Sequence, residues 1–156
     1  MNLFKVTGAI IGLFIHQLAY AQYCTPSSDC GSGDYIENFT FNTISNLSSG
    51  GSDCNSDSYI NTGLTTTVHH GSTYLLSVQA GSTRDQGFGV WIDYNQDLDF
   101  NDNGEYVFDS QTASTSLYTT SITIPSSAAT GTTRLRVRSR RNDTFSWWQS
   151  CSNINR

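Results

Sequence analysis

The amino-acid sequence predicts an all-β fold, an antiparallel β-sandwich of immunoglobulin-like or jelly-roll-like type with about seven to nine strands. Three observations predict it. No window sustains the 3.6-residue periodicity of an amphipathic helix. β-branched and aromatic residues instead alternate with polar ones in short runs, the pattern of a pleated, half-buried strand. Clusters of Gly, Pro, Asn and Asp separate those runs at short intervals.

In chain order, residues 1–21 come first and read as a cleaved secretory signal. Lys5 supplies a short basic region, "VTGAIIGLFI" an apolar stretch too short to span a bilayer, and Ala19 to Ala21 the small-x-small cleavage pattern. The expected mature chain, residues 22–156, has the size of one domain and is secreted or held at the cell surface, with no membrane insertion after cleavage. "YIENFTFNTI" (35–44) reads as a strand. "TTTVHH" and "TYLLSVQA" read as a hairpin turning at Gly71-Ser72. "FGVWIDY", "YVFDS", "LYTTSITI" and "TTRLRVRSR" supply four further strands. Phe39, Phe41, Tyr74, Trp91, Phe108 and Ile122 are the expected core, and aromatics at 12% of the chain argue for packing rather than disorder.

Lys5 is the only lysine, so the mature chain carries 7 arginines against 13 carboxylates, a formal charge of −6. Nucleic acid is a poor partner for that balance. All four cysteines, Cys24, Cys30, Cys54 and Cys151, follow the cleavage point and read as two disulfides in an oxidising compartment. Spacing leaves three connectivities open. The pairing we adopt as an expectation is Cys30 with Cys54 and Cys24 with Cys151, a short loop and a tie between the chain ends. Zinc is disfavoured, because no C-x-x-C pair exists and His69 and His70 stand far from any cysteine in sequence.

The chemistry concentrates in "WIDYNQDLDFNDNGEYVF". Asp93, Asn95, Asp97 and Asp99 follow at spacing two, then Asp102 and Glu105 at spacing three, with no Lys or Arg between Arg84 and Arg134. Like charges this close repel, and a hard cation bound by six to eight oxygens would offset the repulsion. These six residues are therefore the expected ligands of one calcium ion. An EF-hand is excluded: Leu98 stands where that loop needs glycine, Glu105 comes one residue late, and no helices flank it. The alternative without an ion is a turn in which Asp and Asn side chains cap their own backbone.

That loop, followed by "IPSSAATGTTRLRVRSR" and then a cysteine, resembles the GEVED domain, a β-sandwich module of secreted and cell-surface bacterial proteins. The resemblance runs from about Tyr23-Cys24 to Arg156. It implies a non-catalytic module that accompanies adhesins, repeat-bearing surface proteins and some secreted metalloproteases. It also implies a glycine where Leu98 stands, and a Gly-Glu-x-Glu-Asp-Tyr strand soon after Cys151; with Arg156 the last residue, the sequence reads as a truncated domain.

Two further features bear on a ligand. Arg134, Arg136, Arg138 and Arg140 alternate along one run and share a strand face, expected either as a solvated surface or as a grip for an anionic polysaccharide. Trp147 and Trp148, read as part of a strand, would face opposite ways, leaving one exposed to stack on a sugar ring. Neither H-E-x-x-H nor G-x-S-x-G occurs, so no catalytic residue is expected. The expected function is adhesion or carbohydrate binding, with a polysaccharide or another surface protein as partner. The alternative is an accessory domain of a secreted metalloprotease or glycosidase.

Overall fold

The computed structural model describes residues 22–27, 35–48, 59–81 and 83–154. The signal segment 1–21, most of the Gly/Ser cluster at 48–52, and Cys30 and Cys54 with their expected bridge lie outside the described residues.

Among the described residues, seven strands form two antiparallel sheets: β1 (Ile36–Phe41), β2 (Ile44–Leu47), β3 (Thr73–Ala80), β4 (Gln86–Ile92), β5 (Tyr106–Asp109), β6 (Tyr118–Thr123) and β7 (Leu135–Arg141). One sheet runs β2-β1-β3-β6 and the other β5-β4-β7. Alternation places Phe39, Phe41, Leu76, Val78, Ala80 and Ile122 of the first sheet against Phe88, Val90 and Ile92 of the second, and these residues form the main core. Tyr74 and Phe108 pack against it half-buried rather than inside it.

β4 is buried along its whole length, because its other face is covered too. There Trp91 joins Phe100, Phe145 and Ile154 in a second cluster, so the outer side of the three-stranded sheet carries a layer built from the acidic loop and the chain ends. Gly87 and Gly89 share that face with Trp91 and make room for the layer. A Cβ at Gly87 would meet the Asp143 carbonyl oxygen at 2.2 Å, and one at Gly89 the Trp91 ring at 2.4 Å.

Three local expectations are corrected. The 35–44 run folds back on itself at Asn42-Thr43, where Phe41 pairs with Ile44; Asn42 takes a left-handed φ of 50°, and its amide donates to Thr66 Oγ1 and the Thr67 carbonyl. "TTTVHH" forms no strand, because β3 already has β1 and β6 as its two neighbours; Gly71 instead donates to the Ile124 carbonyl and Ser72 to that of His69. Trp147–Ser150 is a 3₁₀ helix, not a strand.

Candidate functional site

β4 ends at Ile92, but the chain stays tied to both neighbouring strands for one more residue. Ile92 N–H donates to the Glu105 carbonyl and Asp93 N–H to that of Arg134. Asp93 is fully buried, with Trp91 on the same strand face. Its Oδ1 accepts Gln96 N–H at 2.6 Å, and its Oδ2 accepts Leu98 N–H at 3.1 Å and the Tyr23 hydroxyl at 2.5 Å. The Thr133 hydroxyl donates to its carbonyl oxygen. A buried carboxylate is tolerated when donors surround it, and here they also set the loop's shape. Gln96 and Leu98 have φ of 62° and 74°, so the chain coils in the left-handed region at the two residues whose amides Asp93 holds. Leu98 thus takes a conformation glycine would adopt without strain.

Beyond Asp93 each side chain caps the amide two residues on. Asn95 Oδ1 accepts Asp97 N–H at 3.1 Å, Asp97 Oδ1 accepts Asp99 N–H at 3.0 Å, and Asp99 Oδ1 accepts Asn101 N–H at 2.7 Å. The Asp99 amide is the main cause holding the Asp97 carboxyl below the usual carboxylate range. This ladder turns the carboxylates of Asp97, Asp99 and Asp102 to one side, with an oxygen from each within 4.8 Å of the others. Asn95 Nδ2 donates to Asp97 Oδ2 at 2.9 Å and to Asp102 Oδ2 at 2.8 Å, tempering their repulsion with an amide dipole.

Of the six expected ligands, the structure therefore brings three carboxylates together, sets Asn95 between two of them, and gives Asp93 and Glu105 backbone duties at the two ends. Glu105 Oε1 accepts Tyr94 N–H at 2.8 Å. Its Oε2 is buried with no hydrogen-bond partner among the described residues, as is the Tyr94 hydroxyl. Burial raises the Glu105 carboxyl and pushes the Tyr94 phenol to about 12, the Glu105 charge adding to the second shift. Among the described residues, Asp97, Asp99 and Asp102 are the carboxylates whose oxygens lie close enough together to hold a metal ion, and the buried Glu105 is not one of them.

The arginine run is a correction. Arg136, Arg138 and Arg140 share the outer face of β7, with Arg134 just before the strand, but that face is not solvated, and the middle pair of the run is closed to an anionic ligand. Arg136 and Arg138 are only 3% and 6% exposed. Arg136 donates to the carbonyls of Cys24 at 2.6 Å and Ser150 at 3.0 Å, and lies over the Phe100 ring. Arg138 donates to the carbonyls of Ser27 at 3.2 Å and Gln149. The physical reason is the covering layer: its irregular backbone leaves carbonyls that need donors, and a guanidinium reaches several at once. Burial lowers both groups, Arg138 to about 10 with the neighbouring Arg136 and Arg140 contributing. Arg134 lies over the Tyr23 ring, and Arg140 pairs with Asp143 at 2.9 Å.

Cys24 and Cys151 form a disulfide across the same layer, as expected, and Arg136 Nη1 lies 2.9 and 3.3 Å from the two sulfurs. Next to the bridge, the 3₁₀ helix is held by Trp91 Nε1–H donating to the Trp147 carbonyl, by Arg138, and by Ser146 N–H donating to Gln149 Oε1. Both tryptophans project outward, Trp147 56% and Trp148 54% exposed, rather than one facing in. A 3₁₀ turn spaces successive side chains about 120° apart, and the core position belongs to Trp91 instead.

Sequence reasoning missed Tyr23 and the clamping role of Arg136 and Arg138; Tyr23 beside a cysteine was a signal for the first. The GEVED domain family model matches residues 87–156, a span that holds β4 to β7, the acidic loop and the tryptophan pair, while β1 to β3 precede it. No curated protein and no solved structure matches the chain.

Proposed function

With a GEVED domain over residues 87–156 as the premise, we propose that this protein is a non-catalytic, secreted or cell-surface binding module that supports adhesion by holding a polysaccharide. The observation that carries the reading is the Trp147–Trp148 pair. Two adjacent indoles more than half exposed cost solvation, and these stand on a short helix tied to β4, to β7 and to a disulfide. Rigid, exposed aromatic faces are suited to stacking on the C–H faces of sugar rings. In affinity electrophoresis through gels containing neutral or acidic polysaccharides, the protein should be retarded by at least one. Trp147→Ala and Trp148→Ala should each weaken that retardation by about 3- to 10-fold. Retardation that survives the double substitution would place the ligand elsewhere, and none across a broad panel would leave a surface protein as partner.

The same reading gives the acidic loop one calcium ion, held by the carboxylates of Asp97, Asp99 and Asp102, with Asn95 keeping its cap on the Asp97 amide. The ion would supply charge neutralisation and a cross-link between the turns of the loop. At tenfold excess over Kd it would stabilise the fold by about 1.4 kcal/mol. The melting temperature should therefore rise by about 3 to 5 °C between chelator and millimolar calcium, and Asp97→Ala should abolish the rise. Superimposable wild-type curves would assign these carboxylates to turn capping alone.

A further inference from the structure

We propose that Tyr23 is a positioning residue of the acidic loop, acting through Asp93, so that the segment at 22–27 sets the loop's affinity for calcium. The inference rests on the calcium reading above. Tyr23 is 70 residues from Asp93 in sequence, yet its hydroxyl donates to Asp93 Oδ2. Its ring packs on Phe100, a fully buried loop residue, at 5.3 Å between centroids, and Arg134 lies 4.4 Å from its centroid. The segment cannot drift away from the loop. Cys24 is bonded to Cys151, the Cys24 and Ser27 carbonyls accept from Arg136 and Arg138, and Ser27 also accepts Ile154 N–H at 3.1 Å.

The chain of positioning is short. Asp93 uses its two oxygens to fix the amides of Gln96 and Leu98, the two left-handed residues that coil the loop. The spacing of Asp97, Asp99 and Asp102 depends on that coil, because Asp97 stands between the two left-handed residues and Asp99 directly follows the second. The phenol is the side-chain donor from outside the loop's own sequence, and it shares Asp93 Oδ2 with the Leu98 amide. Without it, Asp93 keeps both amides but loses the third bond that fixes its rotation, and a hydrogen bond to a charged group is the strong kind.

Tyr23→Phe removes only the hydroxyl, keeping the ring on Phe100. Calcium titration by calorimetry should show affinity about 3- to 10-fold weaker than wild type, with faster amide hydrogen exchange at Gln96 and Leu98. Val78→Ala, a cavity in the main core far from the loop in the other sheet, is the control for general loosening. It should lower the melting temperature without changing calcium affinity. Wild-type affinity in Tyr23→Phe overturns the inference, as does an equal loss of affinity in Val78→Ala. A wild type that binds no calcium overturns the calcium reading and this inference together, whereas binding by wild type and Tyr23→Phe alike overturns the inference only.

Discussion

Gly87→Ala is expected to lower the melting temperature by about 10 °C, for the addition of one methyl group. The new Cβ would stand 2.2 Å from the Asp143 carbonyl oxygen, 3.0 Å from its carbon and 3.1 Å from Thr144 Cα. All three are backbone atoms, so no side chain can swing aside. Either β4 bulges out of register with β7, or the segment from Asp143 onward lifts from the sheet and takes Phe145 with it. Overpacking of this kind costs about 3 kcal/mol or more, which at a few degrees per kcal/mol gives the shift stated. Gly104→Ala separates this effect from ordinary glycine chemistry: φ at Gly104 is 93°, but nothing lies within 4 Å of its Cβ, so the cost there is about 1 kcal/mol of backbone strain. Thermal unfolding of the two variants side by side is the measurement. Equal shifts would show that the layer over β4 is not packed as closely as the distances require.

Replacing Cys24 and Cys151 together by serine should have a still larger effect, because their bridge spans 127 residues of sequence. A chain-entropy model assigns about 4 to 5 kcal/mol to a loop of that size, or about 15 °C in melting temperature. The loss should not be uniform. Residues 22–27 are held to the sheet mainly by the bridge and by two arginines, so Tyr23 and the 3₁₀ helix should loosen before the main core does. Hydrogen exchange would register this as early deprotection at Ile154, whose N–H donates to Ser27, with β3 and β4 protected to higher denaturant. Peptide mapping without reductant should recover Cys24 joined to Cys151; recovery of Cys24 joined to Cys30 would sink the assignment, and a double variant as stable as the wild type would remove the bridge from the account of stability.

What the sequence by itself determined is local. Alternation told which side of the strands in the first sheet is apolar, and Phe39, Phe41 and Ile122 are buried as that alternation requires. The spacing of Asp93 to Glu105 located the loop, and its Asp/Asn content foretold the amide capping that the side chains perform. Only the tertiary structure decided what lies against each surface. Four arginines at spacing two define one side of the run that becomes β7, yet nothing in those residues says that the Cys24 and Ser27 carbonyls, more than a hundred positions away, will cover the middle two. Six oxygen-bearing side chains define a loop, yet whether a carboxylate faces outward as at Asp97 or inward as at Asp93 depends on Tyr23 and on the neighbouring strands. Trp147 and Trp148 were legible as aromatic but not as jointly exposed, because Trp91 occupies the buried position of that layer and its Nε1–H bonds the Trp147 carbonyl at the start of a 3₁₀ helix. Strand periodicity is a property of neighbouring residues; burial and charge pairing are settled by segments that meet only after the sheets have formed.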